Sequence, residues 1–221
     1  TVPTLLTLFA SSFLIALSGA MMPGPLLTAT IGESVKRGAK AGPLIMSGHA
    51  LLEGALVAAL MLGLGPLLRR ELFFVAVSFA GAAILAWMAV RMLRSVSSLE
   101  IDWGGRSIET TGVKASGGGN VVASGALLSI ANPYWVVWWA TIGLTFLTRC
   151  SEAGILGILF FFLGHQAADF AWYSVVSTAV GKGRRFFSTR IYRGIIAFSA
   201  VVLLGFALYF GWSGFGHIAS L

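Results

Sequence analysis

Residues 48–53 read GHALLE and residues 164–169 read GHQAAD. Both are Gly-His-x-x-x-acid, and both lie in the middle of long apolar stretches. Between Glu152 and Lys182 the one formal charge is Asp169, and in the stretch 41–67 it is Glu53. A carboxylate in such a setting carries a desolvation cost that apolar packing would avoid, so each acid marks a functional position by default.

The surrounding composition says what kind of stretch this is. The chain has 221 residues, 57% hydrophobic and only 10% charged, with a mean hydropathy of +0.88. A soluble domain carries about 25% charged residues. Six apolar runs follow one another, over 2–31, 41–67, 72–90, 120–147, 153–180 and 194–209. Each is near or above the roughly 18 residues of a membrane span. Helices are expected, because a helix satisfies its own backbone in lipid. A β-barrel would show alternating segments of about ten residues, and none occur. The first run has no charge before Glu33. It lacks the basic start of a secretory signal and is expected to be a retained helix.

The net charge of +7 is explained by where the charges fall. Lys36, Arg37 and Lys40 follow the first run. Arg91, Arg94, Arg106 and Lys114 follow the third. Lys182, Arg184, Arg185, Arg190 and Arg193 follow the fifth. These are twelve of the 15 basic residues, and the other side holds only Arg69, Arg70 and Arg149. The rich side is expected in the cytoplasm, which puts both termini outside a multi-pass protein of the cell membrane. No nucleic-acid partner is needed to account for the charge, and lipid is the expected surrounding. Cys150 stands alone, which excludes disulfide and CxxC chemistry within the chain. The absence of an HExxH motif or a serine nucleophile elbow argues against an intramembrane enzyme. No cofactor is expected.

The echo of GHALLE in GHQAAD has a second member. The first run contains Pro23-Gly24-Pro25 and the fourth contains Asn132-Pro133-Tyr134. Runs one and four therefore carry proline breaks, and runs two and five carry His plus acid. The fold expected is an all-α integral membrane protein of six transmembrane helices, with proline-broken helices 1 and 4. It is expected to comprise two three-helix repeats, 1–94 and 119–221, joined by a cytoplasmic Gly/Ser-rich linker over 95–118. Three spans are an odd number, so the second repeat must cross the membrane in the opposite sense. This is the inverted-repeat plan of many secondary transporters, in which matched broken helices point to the binding site.

The candidate site residues follow from that plan. Pro23, Pro25 and Pro133 each remove a backbone donor, and Gly24 gives room for close approach. A break exposes half-helix N-termini, which suit a carboxylate. Lys36 lies 11 residues beyond Pro25, about 16 Å along a helix, and half a hydrocarbon core is about 15 Å. Arg149 lies 16 residues beyond Pro133, about 24 Å. Both breaks thus reach the bilayer interior. Asn132, Tyr134 and Trp135 complete the substrate-binding set. Asn132 offers a donor and an acceptor, for substrate or for capping the half-helix, and the two roles are not separable at this level. Trp138 and Trp139 read as aromatic belt or packing.

Residues four apart share a helix face. His165, Asp169 and Trp172 form one stripe, and His49, Glu53 and Leu56 its counterpart. The two stripes are expected to face a shared interior. His49, Glu53, His165 and Asp169 are the candidates for ion coupling or for binding an amine. The same four groups are also a plausible nitrogen and oxygen ligand set for a divalent cation. Small residues at Gly38 and Gly42, Ala76 and Ala80, and Gly154 and Gly157 suggest helix contacts or a homodimer face. Glu33 reads as an interfacial charge.

The early PGP, the GH-x-x-x-acid of the next run and ANPYWVVWWATIG at 131–143 together resemble the lysine exporter (LysE/RhtB) family of amino-acid exporters, over nearly the whole chain. The resemblance implies export of an amino acid or similar small solute, driven by a proton or sodium gradient. With the repeats it implies a secondary transporter working by alternating access. The competing expectation is a divalent-cation exporter that uses the two His-x-x-x-acid pairs.

Overall fold

A computed structural model describes residues 4–64, 70–98, 120–183 and 188–218. Residues 99–118 of the expected linker, with Arg106 and Lys114, lie outside the described residues. So do residues 65–67, Arg69, Arg184, Arg185 and both chain ends, 1–3 and 219–221.

Among the described residues every regular element is helical. Helix α1 (Leu5–Ala20) starts at Thr4, whose side chain accepts from the Thr7 N–H, and ends just before the Pro-Gly-Pro segment. Helix α2 (Pro25–Arg37) opens on proline, whose missing N–H is not needed at a first position. Its last turn holds Lys36 and Arg37, where cations meet the negative end of the helix. Glu33 is buried there and pairs with Arg37 at 2.8 Å. Gly38, at φ 64°, ends α2 in a conformation that favours glycine. A 3-10 turn, Gly38–Lys40, then leads into α3 (Ala41–Ala59), which runs on through a π turn, Leu60–Leu64.

Helix α4 spans Glu71–Ser95 and α5 spans Val121–Ile130. Helix α6 (Pro133–Trp138) again opens on proline, and the Asn132 side chain caps it. It passes through a π turn, Trp139–Gly143, into α7 (Leu144–Ser151). The last two are α8 (Gly154–Lys182) and α9 (Thr189–Ile218).

Among the described residues four helical runs are long and apolar enough to cross a membrane: Pro25–Gly63, Glu71–Ser95, Gly154–Lys182 and Thr189–Gly216. The pair Val121–Ile130 and Tyr134–Ser151, bent by 66°, makes a fifth if it counts as one span. Helix α1, with 16 residues, is about 24 Å long, shorter than the roughly 30 Å hydrocarbon core. The six expected runs therefore do not become six uninterrupted helices. Runs 2–31 and 41–67 are re-divided into α1 and a helical stretch from Pro25 onward that breaks at Gly38. The proline–glycine segment cuts the first run, and only one tight turn separates its second part from α3.

Helix α1 lies antiparallel on α8, with the Ser12 hydroxyl donating to the Phe161 carbonyl at 2.7 Å and Gly164 against the Phe9 carbonyl. Helix α3 packs on α5, with Gly48 against the Val122 carbonyl and Gly125 against the Ile45 carbonyl. A Cβ at Gly48 or Gly164 would collide with backbone of the facing helix, so the absence of a side chain is what permits these approaches. Helices α3 and α8 cross antiparallel: Gly42 meets Tyr173 and Ser177, and Gly54 meets Phe162. Helices α4 and α9 pack on each other around Leu85, Ala89, Ala200 and Leu203.

Gly42 and Gly157, expected at helix contacts or a dimer face, pack on backbone of this same chain, while Ala76 and Ala80 are exposed. Large apolar side chains stand exposed on the outside, among them Leu6, Leu51, Leu72, Ile155, Leu208 and Trp212. Apolar exposure on this scale belongs against lipid.

Candidate functional site

The antiparallel crossing of α3 and α8 brings the two Gly-His-x-x-x-acid motifs face to face. His49, Glu53, His165 and Asp169 are all buried, and one nitrogen or oxygen atom from each lies within 4.8 Å of the others. His49 Nε2 is 3.1 Å from Glu53 Oε1, and His165 Nε2 is 3.1 Å from Glu53 Oε2. The same two nitrogens lie 3.6 and 3.4 Å from Asp169 Oδ2. Each imidazole thus bridges its own acid and the acid of the other motif.

Glu53 has further partners. The indole N–H groups of Trp135 and Trp139 both donate to Oε1 at 2.8 Å, and the Gln166 amide donates to Oε2 at 2.7 Å. Asp169 Oδ2 has no hydrogen-bond partner among the described residues. The histidines differ in the same way: His49 Nδ1 lies 2.6 Å from the Ser129 hydroxyl, whereas His165 Nδ1 has no hydrogen-bond partner among the described residues. The His165 ring is enclosed by Trp138, Trp139 and Phe161, with ring centroids 4.9, 5.5 and 6.1 Å away.

The cluster opens on a cavity of about 80 Å³. Pro23 and Gly24 of the first break line it, with Asn132, Tyr134 and Trp135 of the second, and so do all four members of the cluster. Pro25 and Pro133 are the first residues of α2 and α6. The two proline breaks and the two acid motifs, separated by up to 146 positions in the chain (169 minus 23), therefore meet at one place.

Several residues at this place were not expected from the sequence. Trp138 and Trp139 are buried in one apolar cluster, so of the belt-or-packing reading the packing half holds; beyond it, Trp139 donates to Glu53 and Trp138 lines the cavity. Gln166 and Ser129 were missed. Gln166 carried a usable signal, an amide inside an uncharged run, which costs free energy unless it is paired. Trp172, expected beside Asp169, packs with the Ile45 and Met46 cluster, and Leu56 packs against the cluster around Trp138 and Trp139.

Apolar helices of spanning length, converging on buried ionisable groups beside broken helices, define a multi-pass membrane translocator. Residues 17–214 match the family model described as LysE type translocator, and the chain belongs to that family. It is 27% identical over 210 residues to "Chemotactic transduction protein ChpE" of Pseudomonas aeruginosa, covering 92% of this chain and 97% of that protein. It is 23% identical over 214 residues to "Putative amino acid efflux protein YcgF" of Bacillus subtilis, covering 95% and 97%. No solved structure gives a significant match.

Proposed function

We propose that this translocator exports amino acids or related small solutes across the cytoplasmic membrane by alternating access, coupled to a proton or sodium gradient. The observation that carries the reading is the buried His49–Glu53–His165–Asp169 cluster beside a cavity bounded by both helix breaks. Intramembrane ionisable groups facing a cavity mark substrate or ion pathways, and broken helices supply backbone groups for a solute. The name of the Bacillus subtilis relative, "Putative amino acid efflux protein YcgF", agrees in substrate class.

The moving parts in this reading are the two three-helix repeats, 1–94 and 119–221, inverted relative to each other and joined by the cytoplasmic linker 95–118, with both termini outside. Internal register supports it. A shift of 113 relates Phe9 to Val122 and Ser12 to Gly125 (122 minus 9, 125 minus 12), and these pairs make equivalent contacts with α8 and α3. A shift of 116 relates His49 to His165 and Glu53 to Asp169 (165 minus 49, 169 minus 53), and the bridges His49–Asp169 and His165–Glu53 exchange under it.

The second reading, a divalent-cation exporter, draws on the same compact set of nitrogen and oxygen atoms. The donors around Glu53 weigh against it. Two indoles and an amide already point their N–H groups at its oxygens, and a cation there would face those positive ends.

Export is tested by loading proteoliposomes with labelled amino acids and imposing a pH or sodium gradient. Gradient-dependent release is expected. Release of divalent metal, with no amino acid moved, would replace this reading by the second.

A further inference from the structure

The two halves of the cavity are chemically unlike, although their motifs correspond. Glu53 accepts from Trp135, Trp139 and Gln166 and faces both imidazole Nε2 atoms at 3.1 Å. A carboxylate has about four lone-pair sites, so Glu53 has no capacity left for a ligand. Asp169 is 5% exposed and lines the cavity, and its Oδ2, with the two imidazole Nε2 atoms 3.4 and 3.6 Å away, accepts no hydrogen bond among the described residues.

The helix breaks show the reverse pattern. The start of α6 is closed by the Asn132 side chain, which accepts from the Tyr134 N–H at 3.1 Å. The start of α2 has no side-chain cap, and its Gly24 and Leu26 line the same cavity. Its first N–H groups have no intrahelical acceptor.

From this pattern we infer that the cavity takes a zwitterionic amino acid with an uncharged side chain. Its ammonium sits on Asp169 and its carboxylate on the open start of α2, so each half of the chain supplies one open pole and one closed one. The wall between them includes Met22, Leu26, Tyr134, Trp138, Leu203 and Phe206, and among the described residues no lysine or arginine lines the cavity. A second ammonium on the ligand would find Glu53 already saturated, and a second carboxylate would find no cation of Lys or Arg type. A buried charge left unpaired is rejected strongly. The volume of about 80 Å³ favours a small molecule.

This inference rests on the export reading and deepens it. The test is isothermal titration of the purified full chain with L-alanine, L-threonine, L-leucine, L-lysine and L-glutamate. Two leucine fragments, 3-methylbutylamine and 4-methylpentanoate, each present one pole. At least one neutral amino acid is expected to bind. Lysine, glutamate and both fragments are expected to bind about tenfold more weakly or worse, the scale of one lost charge-assisted hydrogen bond.

Asp169→Asn removes the cationic subsite. Gly24→Leu obstructs the other: Gly24 has φ −166°, an ordinary extended value, and a Cβ there meets nothing within 4 Å. Each is expected to weaken neutral amino-acid binding at least about tenfold, and Gly24→Leu to do so with an unchanged melting temperature. Lysine or glutamate binding as tightly as leucine would overturn the inference and leave export standing. So would undiminished neutral amino-acid binding in both variants. Absence of binding by any amino acid, in protein that also fails to export one, would overturn both readings.

Discussion

Glu53 and Asp169 end the same motif on antiparallel helices four residues after a histidine, and both touch both imidazoles. One is held by two tryptophans and a glutamine, and the other has, among the described residues, no hydrogen bond to Oδ2 beyond its longer contacts with the imidazoles. The difference comes from the neighbours. Trp135 and Trp139 stand on the α6 side of the second break. Counting from Gly24 and Asn132, the residues that precede α2 and α6, their counterparts at the first break are Leu27 and Ile31 (24 plus 3, 24 plus 7), which have no side-chain donor. In the proposed reading, corresponding motifs acquire different duties, Glu53 as an anchor and Asp169 as the open pole, where the helices opposite them diverge.

The sharpest way to break this contrast is to remove each acid in turn. Glu53→Ala strands two indole N–H groups and an amide, and is expected to cost about 3–5 kcal/mol, the scale of breaking a buried charged network. Asp169→Ala is expected to cost about 1 kcal/mol or less while abolishing gradient-driven export. Denaturant unfolding in detergent, read by tryptophan fluorescence, measures the first pair of values, and proteoliposome release the second. Equal destabilisation by the two variants would remove the distinction.

A second pair of variants tests whether the halves are alike where they pack. Gly48→Ala forces α3 from α5, and Gly164→Ala forces α8 from α1, each through a collision with a facing carbonyl. Both are expected to lose about 1–3 kcal/mol, as overpacked contacts do. A large loss in one and none in the other, by the same unfolding assay, would argue against equivalent packing of the repeats.

The smallest effects concern the histidines. Ser129→Ala strips His49 Nδ1 of its partner, with an expected cost of about 1 kcal/mol. The shift of 113 that relates Ser12 to Gly125 relates Ala16 to Ser129 (129 minus 16). Ala16 and His165 line the same cavity, and among the described residues His165 Nδ1 has no hydrogen-bond partner. Ala16→Ser is therefore expected to stabilise by up to about 1 kcal/mol. Melting curves of the two single variants and the double variant measure both changes. Destabilisation by Ala16→Ser would separate His165 from that position.

The sequence by itself determined that the chain is helical and built for a membrane. Apolar run length and the cost of an unpaired backbone in lipid leave few alternatives. It also singled out His49, Glu53, His165 and Asp169, because a charge within an apolar run stands out without any knowledge of its neighbours. The prolines at 23, 25 and 133 marked the helix breaks, because a missing N–H is a local property.

The partners of Glu53 were settled only by the tertiary structure. Trp139 reads as packing until α6 is set at a particular rotation against α3, and a tryptophan in an apolar run is equally at home in a belt or in a core. Gln166 becomes an anchor only because α3 and α8 cross antiparallel at Glu53. The same crossing decided which acid the indoles and the amide hold. The hydrogen bonds to Glu53, from residues up to 113 positions away (166 minus 53), depend on helix rotation and crossing. Neither apolar periodicity nor motif spacing encodes these one helix at a time.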